Sequence, residues 1–258
     1  MSAPAAVRVS PEWLVLREPA DAAARSADLV ARLVRWLPAG RLEIHDLGGG
    51  SGAMGRWLAP RLPWPQHWVV HDRDEDLLDL AVADPPARST VEARQSDITR
   101  LAPRELEGAD LVTASALLDL LTADELVRML RACAGHPVLL ALTVLGRVTL
   151  TPADPLDARI AAAFNEHQRR NGRLGPDAVA AVVDELRGEA LVRPSPWRLD
   201  ATHAKLTAEW LDGWIGAACE QEPALAAEAG DYRERRLAQA AAGELAVIVD
   251  HADLLVLP

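Results

Sequence analysis

The sequence predicts one α/β domain: a seven-stranded, mostly parallel sheet with helices on both faces and an antiparallel last strand. Three observations predict it. Five short apolar runs alternate with helical patterns between Arg41 and Leu145, glycines crowd the turn after the first run, and two more strand-like runs close the chain. Strict alternation of strand and helix gives a parallel sheet covered on both sides. With 258 residues the chain buries a sizeable core as one domain, 1–258, with an N-terminal cap over 1–40 and a helical lid insertion over 147–190.

The strands read in order as "RLEIHDLG" (Arg41–Gly48), "HWVVHD" (His67–Asp72), "TVEARQSD" (Thr90–Asp97), "ADLVTASAL" (Ala109–Leu117) and "PVLLALTVL" (Pro137–Leu145). The helical patterns "GAMGRWLAPRL", "DEDLLDLAVA" and "TADELVRMLRACAG" lie between them, the last opening with Thr122 and Glu125 at capping-box spacing. Ahead of the first strand, "REPADAAARSADLVARLVRWLP" predicts one long amphipathic helix with Pro19 near its start and Leu29, Leu33 and Leu37 on one stripe. After the fifth strand a helix, a Gly-containing turn and a second helix are inserted at the end of the sheet where α/β proteins bind ligands. The strands "ALVRPSPWRLDA" and "ELAVIVDHADLLVLP" flank two further helices. The tryptophans are assigned to packing by default, with Trp197, Trp210 and Trp214 in a late segment suited to lining a pocket.

A net charge of −11 argues against bulk attraction to a nucleic-acid backbone. Cys133 and Cys219, far apart on helical segments, read as two buried thiols in a reducing compartment. The best apolar run, Pro137–Gly146, falls short of the roughly 20 residues a bilayer requires, and the N-terminus lacks an apolar signal core. The expectation is a cytoplasmic monomer or homodimer with no membrane or nucleic-acid partner.

The stretch "IHDLGGGSGAMGRWL" (Ile44–Leu58) carries the functional signal. Gly50, Gly52 and Gly55 spell the dinucleotide fingerprint G-x-G-x-x-G, yet Asp46 stands just upstream of the loop. A carboxylate there repels a pyrophosphate and attracts an ammonium. With Gly48, "DLGGGSG" resembles motif I of the class I S-adenosylmethionine-dependent methyltransferases, whose ligand has an amino group and a sulfonium and no phosphate. The resemblance covers Gly40–Gly146 by motif and the rest by order of elements, and extends to an actinobacterial-type subgroup.

That resemblance implies a Rossmann-like methyltransferase fold, S-adenosylmethionine as cofactor, and methyl transfer to a small-molecule acceptor. It implies cofactor contacts from Asp46, Gly48, Gly50 and Gly52, from Asp72 with Arg73 at the end of the second strand, from Asp97 and Ile98 after the third, and from Ser115 in the fourth. Arg25 in the cap helix is a candidate for the methionine carboxylate, against solvation at the surface. His167, on a helical face with Ile160, Ala163 and Phe164, is a candidate base, against a satisfied core histidine. Asp119 is the second candidate base, and Arg170 and His203 are candidates for the substrate. Of Arg169, Arg170 and Arg173, one turned inward implies an acidic or phosphorylated substrate. His45 and His71, on the strands, are assigned to packing. No metal is expected, because no ligand spacing is present. An NAD(P)-dependent oxidoreductase and a cofactor-binding protein without methyltransferase activity are the alternatives.

Overall fold

The computed structural model describes residues 9–186 and 189–258; residues 1–8 of the expected cap and 187–188 of the expected lid lie outside the described residues. Strands β1 (Leu42–Leu47), β2 (Gln66–Asp72), β3 (Ser89–Gln95), β4 (Leu111–Ser115) and β5 (Val138–Thr151) run parallel. The sheet order is β3-β2-β1-β4-β5-β8-β6, with β8 (Ala246–Val256) antiparallel between β5 and β6 (Leu191–Pro194). The predicted sixth strand is divided: β7 (Trp197–Leu199) pairs with the start of β8 while β6 pairs with its end. Pro194 and Pro196 flank the break and have no N–H for a ladder, which an edge strand tolerates.

Helices α3 (Ala53–Leu58), α4 (Glu75–Ala83) and α5 (Ala123–Ala132) form the crossovers. The capping box of α5 is formed: Thr122 Oγ1 accepts from the Glu125 N–H and Glu125 Oε2 accepts from the Thr122 N–H at 2.8 Å.

The cap is two helices, α1 (Pro11–Ala24) and α2 (Ala27–Leu33), where one was expected. Ser10 caps α1 directly before Pro11, so Pro19 lies inside that helix. The chain breaks at Arg25 (ψ 140°) because the Ser26 hydroxyl accepts the Leu29 N–H and restarts the helix, while the Ser26 N–H donates to Asp253. The expected stripe holds, with Leu29, Leu33 and Leu37 buried, but Trp36 is 53% exposed and does not pack as predicted. Cys133 is buried and Cys219 only half-buried; both are free thiols.

The segment after β5 also departs from the expectation. β5 runs past Gly146 to Thr151, because the glycine sits at an irregularity between Val144 and Val148 and the alternating pattern resumes beyond it. Of the two inserted helices, α7 (Ala178–Glu185) returns to the sheet and buries Ala178 and Val182 beside Met129 and Leu254. Helix α6 (Asp157–Gln168) packs with α8 (Ala204–Gln221) and α9 (Ala226–Ala241) over the extended ends of β5 and β8. Trp210 and Trp214 stack at 5.0 Å inside this helical layer, which makes them core residues.

Candidate active site

The site is built at the carboxyl edge of the parallel strands. Asp46, near the end of β1, is fully buried: Oδ1 accepts a 2.7 Å bond from Thr113 Oγ1 on β4, and Oδ2 has no partner among the described residues. Burial pushes its carboxyl up to about 7, against the Thr113 bond and the Arg25 charge. The glycines that follow fit by two different constraints. A Cβ on Gly49 would lie 2.6 Å from Asp46 Oδ2, so the loop closes over the acid only without a side chain. Gly50 has φ +53°, and its N–H donates to Asp72 Oδ2 at 2.9 Å. The other Asp72 oxygen accepts the Asp74 N–H at 3.0 Å, so the acid ending β2 is tied to the loop ending β1.

Arg25 lies at the break between α1 and α2, 6% exposed. Its guanidinium donates to Ser115 Oγ at 3.0 Å and to the Ala53 carbonyl at 3.5 Å, lies over Trp57, and keeps Nε without a partner among the described residues. Burial lowers its pKa, opposed by Asp21, Asp46 and Asp253. The structure thus brings Arg25, Ser115, Asp46, Asp72 and the glycines into one neighbourhood.

Asp97 caps the turn 98–100, its Oδ1 accepting from the Thr99 N–H (3.0 Å) and hydroxyl (2.6 Å), which hold its pKa low. Ile98 is buried in the cluster containing Leu47 and Leu118, and Arg73 is exposed. Asp119 follows β4 in the turn 118–120, two residues beyond Leu117, whose side chain lies against Gly48. It is half-buried, and burial raises its pKa against the charges of Arg17 and Arg173.

His167 and Arg170 face α8. The imidazole Nε2 is 3.0 Å from Glu220, and Arg170 donates to Gln221 at 2.7 Å and to the Glu220 carbonyl. Ile160 and Ala163, on the same helix, are buried in the helical layer. His203 lies before α8, bonded to Asp200 and Thr202. The packing strand histidines also form a hydrogen-bonded chain: His45 Nδ1 and His71 Nε2 are 3.0 Å apart, with Glu43 and Ser96 at the two ends.

Helix α1 supplies residues the sequence reading passed over. Leu14 lies against Gly50, and Glu18 forms a two-pronged ion pair with Arg56 (2.8 and 2.7 Å), which in turn donates to the Ser51 carbonyl. On its other side Arg17 and Asp21 pair, and Asp21 accepts from Trp197 Nε1 at 2.9 Å. The i, i+4 spacing of Arg17 and Asp21 was a legible signal; Glu18 had none, because its partner is remote in sequence.

Residues 44–136 match the model of a family described as a methyltransferase domain. No curated protein matches the chain in sequence. Among solved structures the chain is similar to a loganic acid methyltransferase with S-adenosylhomocysteine, at 12% identity and TM-score 0.51 over 93% of this chain and 92% of that one. It is also similar to a cyclopropane synthase from Mycobacterium tuberculosis (15% identity, TM-score 0.47, 95% and 94% covered). A third is an S-adenosylmethionine-dependent methyltransferase from Thiobacillus denitrificans in complex with S-adenosylhomocysteine (14%, 0.44, 96% and 99%). Among the described residues no helix is long and apolar enough to cross a membrane. Residues 44–136 therefore match a methyltransferase domain, and the sheet around them has the strand order of the Rossmann-like methyltransferase fold.

Proposed function

We propose that this protein methylates a small-molecule acceptor in the cytoplasm, as a monomer or homodimer, with S-adenosylmethionine as methyl donor. One observation carries the choice of donor. At the glycine loop a buried acid and a buried cation each keep an atom without a partner among the described residues, Asp46 Oδ2 and Arg25 Nε. A buried charged group without its full set of partners is costly, and a ligand bearing both an ammonium and a carboxylate supplies them. Asp46 suits the amino group, directly or through a water, and Arg25 with Ser115 suits the carboxylate. Asp72, with two carboxylate oxygens, suits a ribose diol, and Asp97 with Ile98 suits the adenine. When bound, the donor supplies an activated methyl group on a sulfonium.

The chain's own residues then orient the acceptor and take its proton. Holding the nucleophile in line with the methyl carbon and sulfur supplies most of the acceleration. Of the two candidate bases we assign the role to Asp119: it follows the loop over Gly48 and its pKa is raised, whereas His167 is engaged with Glu220. A positioned base contributes roughly 10² to 10⁴-fold.

The test is calorimetric titration with S-adenosylmethionine, S-adenosylhomocysteine and NAD(H), with Asp72→Ala as control. Binding of the sulfur ligands alone, lost in Asp72→Ala, is expected. Preference for NAD(H), or no binding, refutes the assignment.

A further inference from the structure

The three arginines at the end of α6 have different surroundings. Arg169 is held by Asp177 at 2.7 Å and Glu166 at 2.8 Å. Arg170 is turned to α8, with Gln221 at 2.7 Å and the Glu220 carboxylate at 3.6 Å. Arg173 is half-buried, and among the described residues no carboxylate lies within ion-pair distance of it.

Backbone pairing fixes where Arg173 stands. It forms an isolated antiparallel bridge with Thr122, and the next N–H, of Leu174, donates to the Leu121 carbonyl at 2.8 Å. Leu121 and Thr122 continue the turn that carries Asp119, and the Arg173 charge reaches the Asp119 carboxyl. The Arg17 charge of α1 also acts on the same carboxyl, but Arg17 is neutralised by its two bonds to Asp21. The segment after α6 is thus paired with the loop after β4, and that loop and the cap helix touch the glycine loop through Leu117 and Leu14. Among the described residues Arg173 has no counter-ion within ion-pair distance.

A half-buried guanidinium on a segment paired with the loop of a candidate base, with its fork of donors unused among the described residues, is a receptor for a planar anion. Resting on the methyl-transfer assignment, we infer that the acceptor is a small carboxylate whose anionic group docks on Arg173 and which also bears the nucleophile, a hydroxyl or an amine. Asp119 lies on the nucleophile's side. The acceptor's lone pair bonds to the methyl carbon, the carbon–sulfur pair stays on sulfur, and the acceptor's proton passes to Asp119. The products are the methylated carboxylate and S-adenosylhomocysteine.

The experiment uses the full chain saturated with S-adenosylhomocysteine. Lactate, serine, 4-hydroxybenzoate and anthranilate are each titrated calorimetrically against their primary amides. At least one acid is expected to bind on the order of 10- to 100-fold tighter than its amide, the size of a charge-assisted hydrogen bond. Arg173→Gln should erase that ratio while leaving S-adenosylhomocysteine affinity within about twofold, Arg173→Lys should restore part of it, and Arg169→Gln should leave it intact. The proposal is overturned if no acid is preferred over its amide, or if the preference survives in Arg173→Gln. A protein that fails to bind S-adenosylhomocysteine overturns the methyl-transfer reading and this one together, and is recognised before any acid is added.

Discussion

Asp46→Asn should make the ligand-free protein more stable and at the same time abolish cofactor binding. Burial pushes the folded carboxyl up to about 7, against an ordinary 3.8. Between those values the unfolded chain has released a proton that the folded chain keeps. The cost of folding with Asp46 therefore grows as pH rises through this window and levels off above 7. At ~1.4 kcal/mol per pH unit, the gap amounts to ~4 kcal/mol at pH 8. Asparagine retains the acceptor for Thr113 but leaves an amide donor where Oδ2 was, at a cost of about 1–3 kcal/mol. The net gain at pH 8 is about 1–3 kcal/mol. Urea denaturation of both proteins at pH 5, 6, 7 and 8 measures it as a difference, in which the histidine contributions cancel. The advantage of Asp46→Asn should increase with pH and plateau above 7, and S-adenosylhomocysteine should stabilise only the wild type. A variant less stable than wild type at pH 8, or one that binds S-adenosylhomocysteine unimpaired, refutes the reasoning.

Acid should destabilise the fold through His71 and His251, both held near 4 chiefly by burial. The unfolded chain takes up protons near 6.5 that the folded one refuses until about 4, so stability present above 6.5 is lost as pH falls, by roughly 2 kcal/mol per histidine at pH 5; His251→Phe should flatten this slope in urea melts. Gly49→Ala should cost about 1–3 kcal/mol by overpacking, since its Cβ would meet Asp46 Oδ2 at 2.6 Å and Val70 Cγ1 at 2.8 Å; thermal melting reads the loss. Glu18→Gln should loosen α1 from the glycine loop for about 1 kcal/mol, detectable as faster tryptic cleavage at Arg17 and weaker S-adenosylhomocysteine binding.

The sequence by itself determined the layered α/β architecture, the strand-to-helix turn that holds the glycines, the acids at Asp46 and Asp72 on successive strand ends, and the cap of α5. These are local properties: apolar periodicity, backbone freedom at glycine, and side-chain caps reach only a few residues along the chain. Periodicity misled where a local signal had two meanings. Gly146 read as the end of β5 and is an irregularity within it, and Ser26 read as one more polar position in a helix and is the cap that breaks it. Only the tertiary structure decided that Arg25 reaches Ser115, that Asp253 holds Ser26 and Leu142 from the far end of the chain, and that Glu18 grips Arg56. It also decided which of three neighbouring arginines pairs with the loop that carries Asp119. Those pairings join residues far apart in sequence, and their geometry comes from how helices seat on the sheet, a sum over many packing contacts that no short window of residues encodes.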